Sequence, residues 1–236
     1  WSKHLSARKE RCSLYVRYNN QNLSGQTLDL MVAEGHRCRL YLITPSNIVG
    51  EKLFPFADSM QLAIDAGDVA CVQLRLKNVQ DETIRKVANL LQPMVQKHQI
   101  PFILNDRADL AAEFGCDGVH IGQSDTPYKK ARELVGPNSI VGVTCHSSTH
   151  LAMTAGEAGA DYVAFGAFFE SSTKKPKYIA QPNILSKWQK TMTLPCVAIG
   201  GINTENCQTV VEAGADFIAV SAGVWNHPEG PGKAVE

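Results

Sequence analysis

The sequence contains no apolar run near the roughly 18 residues a membrane span needs, no CxxC pair, and no excess of either charge. With 23 basic and 23 acidic residues, nothing in it advertises a nucleic-acid or anionic-membrane partner. Its seven cysteines are scattered, which argues against a disulfide or zinc framework and for a reducing compartment. Three of them (Cys71, Cys145 and Cys196) sit in or beside apolar runs, where a thiol behaves as a small hydrophobe. The opening WSKHLSARKERC has no signal-peptide core. A soluble cytoplasmic protein acting on small molecules is the expectation, with homo-oligomerisation left open. Also missing are a GxGxxG after the first strand candidate, where ITPSNIVGEK stands instead, and any Ser-His-Asp or Cys-His pairing.

What is present is a regular alternation. From Arg39 onward, short apolar runs are separated by stretches with helical spacing, such as DETIRKVANLLQPMVQKHQ. The strand candidates are 39–44, 69–75, 101–105, 117–122, 139–143, 162–166, 195–200 and 217–221, eight in all. Each is nearly continuous in hydrophobicity, as parallel strands buried on both faces require. An internal repeat punctuates them: AGDVACV at 66–72, FGCDGVHI at 114–121, AGADYVAF at 158–165 and AGADFIAV at 213–220. In each, a glycine stops a helix, an aspartate follows, and a strand begins. These features predict a TIM (β/α)8 barrel, with a doubly wound open sheet as the runner-up. The expected organisation is an N-terminal extension over 1–38 and one barrel domain over 39–236. WNHPEGPGKAVE stops where an eighth helix is due, so either a very short last helix or a truncated chain is expected.

A barrel of this kind carries its site at the C-terminal ends of the strands. Those ends bring Gln73, Arg75 and Lys77 from strand two, Asn105 and Asp106 from strand three, and Asp125 after strand four. Strand five ends in Thr144-Cys145-His146, strand six leads into FFESSTKKPK, and the last two end in Gly200-Gly201 and Ser221-Ala222-Gly223. Two carboxylates, Asp106 and Asp125, suffice for magnesium, which fills its shell with water and phosphate oxygens. Arg75, Lys77 and Lys174 would neutralise a polyanion there. Glycine-rich ends at strands seven and eight suit a monophosphate.

Each residue also has a plainer reading. Asp106 before RADLAAEF is a good N-cap, and Asp125 stands before a proline and a helix. Lys174, Lys175 and Lys177 read alone as a solvated loop. His146 and His150, four apart, are either a metal pair or surface residues on one helix. Only the gathering of so many polar groups at one mouth favours a site.

In order, QLRLK, ILNDRADLA, DGVHIGQSD, GVTCHS, FGAFFESSTK, VAIGGI and GADFIAVSAGVW resemble the thiamine phosphate synthase (thiamine phosphate pyrophosphorylase) family. The resemblance covers about residues 39 to 226, and NDR followed by HIGQxD is its most specific part. It implies a magnesium-dependent transferase that couples hydroxymethylpyrimidine diphosphate to a thiazole phosphate. It further implies that Gln73, Arg75, Lys77 and Asn105 hold the pyrimidine diphosphate and that Asp106 and Asp125 hold magnesium. Thr144 would lie near the pyrimidine, Lys174 at the diphosphate, Ser171 and Thr173 at the thiazole, and Gly201 with Ser221 or Ala222 at its phosphate. Three departures stand out: Leu76 where the family commonly has Glu, ESSTKK in place of a proline-threonine loop, and Ala222 opposite the family's phosphate-binding serine. The rival readings are a thiazole tautomerase with His146 as base, and a non-catalytic barrel that binds a phosphate ligand.

Overall fold

The computed structural model describes residues 38–170 and 178–236. The extension expected over 1–38, apart from Cys38, and the expected site residues Ser171, Thr173 and Lys174 lie outside the described residues. Eight strands are present: β1 (Arg39–Ile43), β2 (Val69–Leu74), β3 (Phe102–Asn105), β4 (Gly118–Ile121), β5 (Ile140–His146), β6 (Tyr162–Gly166), β7 (Cys196–Ile199) and β8 (Phe217–Val220). They pair in sequence order, all parallel, and β1 closes on β8 to make a barrel. All six residues of β2 are buried, which is why its run shows no polar alternation.

Burial on two faces sorts the core into two clusters. Tyr41, Ile43, Ile103, Ile140, Tyr162, Ala164, Val197, Phe217 and Ala219 pack together in the barrel interior. The alternate residues, such as Leu42, Leu104, Val141, Val163 and Ala198, join the larger layer beneath the helices. That outer layer consists of α1 (Leu53–Ala66), α2 (Asp81–Gln96), α3 (Ala108–Phe114), α4 (Tyr128–Val135), α5 (Thr149–Ala158), α6 (Asn183–Thr191) and α7 (Cys207–Glu212). In α2 the buried side chains are Ile84, Val87, Ala88, Leu91 and Val95, one stripe of a 3.6-residue period. Where one last helix was expected, two short ones follow, α8 (Ala222–Trp225) and α9 (Pro231–Val235). Trp225 ties this end to the barrel, donating from Nε1 to the Ile43 carbonyl at 2.6 Å and packing edge-on against Phe56.

The internal repeat has a structural meaning. Its aspartates all stand just before even-numbered strands, at the face away from the site. Asp117 accepts from the Phe102 N–H at 2.7 Å, Asp161 from Val141 at 2.9 Å, and Asp216 from Cys196 at 2.8 Å. Each thereby satisfies an amide at or near the start of the preceding strand. A helix side chain braces each carboxylate: Gln96, Arg132 and Gln189 respectively. Asp68, in the first copy, instead takes a two-pronged bond from Arg39.

Candidate active site

The inward-facing residues near the C-terminal ends divide the barrel mouth in two. On β2 to β5 they are Gln73, Asn105, His120 and Thr144; on β6 to β8 they are Ala164, Gly166, Ile199 and Ala219. Gln73 and His120 are buried, and Asn105 stands in register with His120. The Asn105 amide nitrogen is buried and has no hydrogen-bond partner among the described residues. A buried donor in that state costs free energy until an acceptor reaches it, so it marks a place for a ligand.

The two carboxylates follow β3 and β4. Asp106 holds a left-handed backbone, φ 65°, while its N–H donates to the His120 carbonyl at 2.7 Å. Its carboxylate pairs with the Lys77 ammonium. Asp125 turns back to accept from the Gly122 N–H at 2.7 Å. Burial first, then the neighbouring Asp106 carboxyl, pushes the Asp125 carboxyl above its usual range, against the Gly122 N–H bond that lowers it. Neither acts as a helix cap. The residue before α3 is Arg107, the one before α4 is Pro127, and no side-chain cap bond is made at either. The capping alternative is therefore set aside. Arg107, the third letter of NDR, points elsewhere and clamps Asp81 and Asp109 at the starts of α2 and α3.

A chain of polar groups runs beneath the mouth. Gln73 Nε2 donates to the Tyr41 hydroxyl at 3.1 Å, and Tyr41 meets the Tyr162 hydroxyl at 2.8 Å. Tyr162 meets His120 Nδ1 at 2.8 Å, and His120 Nε2 meets Thr144 Oγ1 at 2.7 Å. Burial pushes the His120 imidazole down to about 4, against the pull of Asp125 and with help from the Arg75 charge, so it is neutral near pH 7. Gly142 makes the arrangement possible, because a Cβ there would stand 1.9 Å from Tyr162 Cζ. Sequence reading did not single out His120, Tyr41 or Tyr162, which the structure links to Gln73 and Thr144. The available signal was parity: a histidine next to last in a buried strand, in step with Asn105.

Of the other expected residues, Arg75 is half-buried at the end of β2, where its N–H donates to Thr44 Oγ1 at 2.9 Å. Leu76, one of the departures, packs against the core. His146 ends β5 beyond an irregularity in register, with φ 51° and its ring 4.7 Å from that of Tyr178. His150 lies on α5, so the pair does not share a helix and the expectation that it does is corrected.

Across the mouth, the loops after β6, β7 and β8 pack backbone to backbone. A Cβ on Gly201 would meet the Glu170 carbonyl at 2.3 Å, and one on Gly223 would meet the Ile202 carbonyl at 2.4 Å. Glycine is required at both positions by this approach, and at Gly201 also by φ 68°. Ser221 precedes Ala222, the first residue of α8, beside these loops.

Thiamine monophosphate synthase is the family description that matches, over residues 40–224. The chain belongs to that family. A thiamine-phosphate synthase of Rhodospirillum centenum is 62% identical over 84% of this chain and 94% of its own length. One from Hyphomonas neptunium is 48% identical over 84% of this chain and 91% of its own. Among solved structures, the thiamine phosphate pyrophosphorylase of Pyrococcus furiosus superposes with a TM-score of 0.73 at 30% identity, covering 85% of this chain and 93% of that one. A second, from Bacteroides thetaiotaomicron, has a TM-score of 0.58 at 18% identity, covers 80% of this chain and 85% of that one, and speaks to the fold alone. No helix among the described residues is long and apolar enough to cross a membrane.

Proposed function

We propose that this family member joins hydroxymethylpyrimidine diphosphate to a thiazole phosphate, releasing pyrophosphate and forming thiamine phosphate. The observation that carries the reading is that Asp106 and Asp125, which follow consecutive strands, act on each other electrostatically, with the unpartnered amide of Asn105 next to Asp106 in the chain. Two facing carboxylates repel when both are ionised, and a small hard cation relieves that repulsion, so the pair fits magnesium. Bound there, magnesium supplies positive charge to the departing diphosphate.

The protein's own groups do the rest. Arg75 and Lys77 take up the negative charge that grows on the leaving oxygens, with Lys174 assigned to the same task. Lys77 pairs with Asp106, which keeps the ammonium beside a carboxylate that would hold the metal. The carbon–oxygen bond between the pyrimidine's exocyclic methylene and the diphosphate breaks, and its electron pair leaves with pyrophosphate. The ring amino group stabilises the methylene cation, and the thiazole nitrogen then donates its lone pair to form the new carbon–nitrogen bond. No proton moves in this exchange, so the site needs no general base. Gln73, Asn105 and Thr144 orient the pyrimidine, and Ser171 and Thr173 the thiazole. Gly201 and the backbone at Ser221 and Ala222 hold its phosphate, a role that survives the alanine in place of the family's serine because an amide needs no side chain.

The test is a coupling assay with both substrates, run with and without magnesium and beside a thiazole tautomerase assay. Magnesium-dependent pyrophosphate and thiamine phosphate in equal amounts are expected. Tautomerisation without coupling would reject the synthase reading and return His146 to consideration.

A further inference from the structure

The chain of polar groups under the mouth has two ends, and both are residues assigned to the pyrimidine. We propose that His120 is a positioning residue: its Nε2–H tautomer makes the Thr144 hydroxyl a hydrogen-bond donor to the substrate ring, while the same chain leaves Gln73 Oε1 as an acceptor. This inference rests on the synthase reading for its ligand.

The direction of the chain follows from what each atom is able to do. Gln73 Nε2 carries only hydrogens, so the Tyr41 oxygen accepts from it at 3.1 Å. Tyr41 then sends its own hydrogen to the Tyr162 oxygen at 2.8 Å, the thiol of Cys71 nearby being a far weaker acceptor. Tyr162 in turn sends its hydrogen to His120 Nδ1 at 2.8 Å, which makes Nδ1 the acceptor. An imidazole whose Nδ1 accepts carries its hydrogen on Nε2, and that hydrogen goes to Thr144 Oγ1 at 2.7 Å. The Thr144 hydroxyl has then received a hydrogen and still has one to give. All four bonds are buried or half-buried, where reversing a single link leaves two donors or two acceptors face to face.

The consequence is a paired readout. An aminopyrimidine offers a donor, its amino group, next to an acceptor, its ring nitrogen. Gln73 Oε1 and the Thr144 hydroxyl present the matching acceptor and donor. The 4-oxo ring, with a carbonyl beside a ring N–H, meets that acceptor and donor with the wrong polarity: the Gln73 amide must turn against Tyr41 and the Thr144 hydroxyl must accept twice and lose its own donor bond to the ring.

Three measurements test this. First, nitrogen-resolved NMR of ring-labelled wild-type protein at neutral pH is expected to show His120 neutral with its hydrogen on Nε2; hydrogen on Nδ1 overturns the proposal, whatever the activity. Second, His120→Leu is expected to raise the KM for the pyrimidine diphosphate by about tenfold and leave that for the thiazole phosphate unchanged. His120→Gln, which restores an N–H toward Thr144, is expected to recover most of the loss. An equal effect on both substrates, or no recovery by Gln, would reduce His120 to a structural role. Third, wild type is expected to bind the amino ring at least about a hundredfold more tightly than the oxo ring, and Tyr162→Phe to narrow that gap roughly tenfold. Equal preference in the two proteins overturns the coupling. A wild type that makes no thiamine phosphate rejects the synthase reading instead, and the tautomer measurement still decides the relay.

Discussion

Asp125 carries a charge that opposes the stability of its own fold. Its carboxyl is held above the ordinary value of 3.8 by burial and by Asp106. A raised carboxyl pKa means that the folded state binds the proton more tightly than the unfolded chain does. Relative to a neutral side chain, stability is therefore intact below about pH 3.8 and lost as pH climbs through the raised value. Asp125→Asn keeps the acceptor for the Gly122 N–H and removes the charge. The metal-free variant is expected to melt higher than wild type at pH 7, with the difference closing on acidification to pH 4. A lower melting temperature at pH 7 would show that Asp125 is a structural anchor first. At this scale the sequence was partly legible. Asp106 and Asp125 were visible because each follows a buried run, but their capping alternative was equally visible, and only the geometry removed it. His120 was hidden, since a histidine within a buried run reads as core, and its role depends on partners from β1, β5 and β6 that no local pattern names.

At the scale of elements, the repeated glycine-aspartate turn was legible as a helix-to-strand connection, though its job was not. The aspartates brace neighbouring strands in pairs, a relation between segments about 15 to 20 residues apart. Asp161 is the most enclosed, taking a backbone N–H and the Arg132 guanidinium at 2.5 Å. Asp161→Ala is expected to cost about 1.5–3 kcal/mol in denaturant unfolding, because it strands a charged partner and a strand amide. A loss under about 0.5 kcal/mol would make the repeat a matter of turn geometry alone. Gly142 is a different case, a small residue whose reason lies across the barrel. Gly142→Ala places a methyl 1.9 Å from the Tyr162 ring, so Tyr162 must move and the polar chain must break with it. The variant is expected to lose pyrimidine discrimination along with stability; retained discrimination would mean that the tyrosine finds another way to His120.

The whole molecule was the most legible of the three. Eight buried runs with helical segments between them leave few closures, and the barrel is the one that leaves no strand edge open. Less legible was the end of the chain, where two short helices stand and Trp225 reaches back to Ile43. The family match begins at residue 40 and β1 at Arg39. Removing residues 1–37 is accordingly expected to leave the coupling rate unchanged, and a large loss would show that the extension contributes to catalysis.

In the proposed reaction, Asp106 and Asp125 together make the barrel mouth a magnesium-dependent diphosphate site. Its most direct test is pyrophosphate release against magnesium concentration for wild type, Asp106→Asn and Asp125→Asn, with folding followed by circular dichroism. Wild type is expected to saturate, and each variant to fold yet require far more magnesium, with turnover lower on the order of a hundredfold. Folded variants that match wild type at every magnesium concentration would contradict the claim.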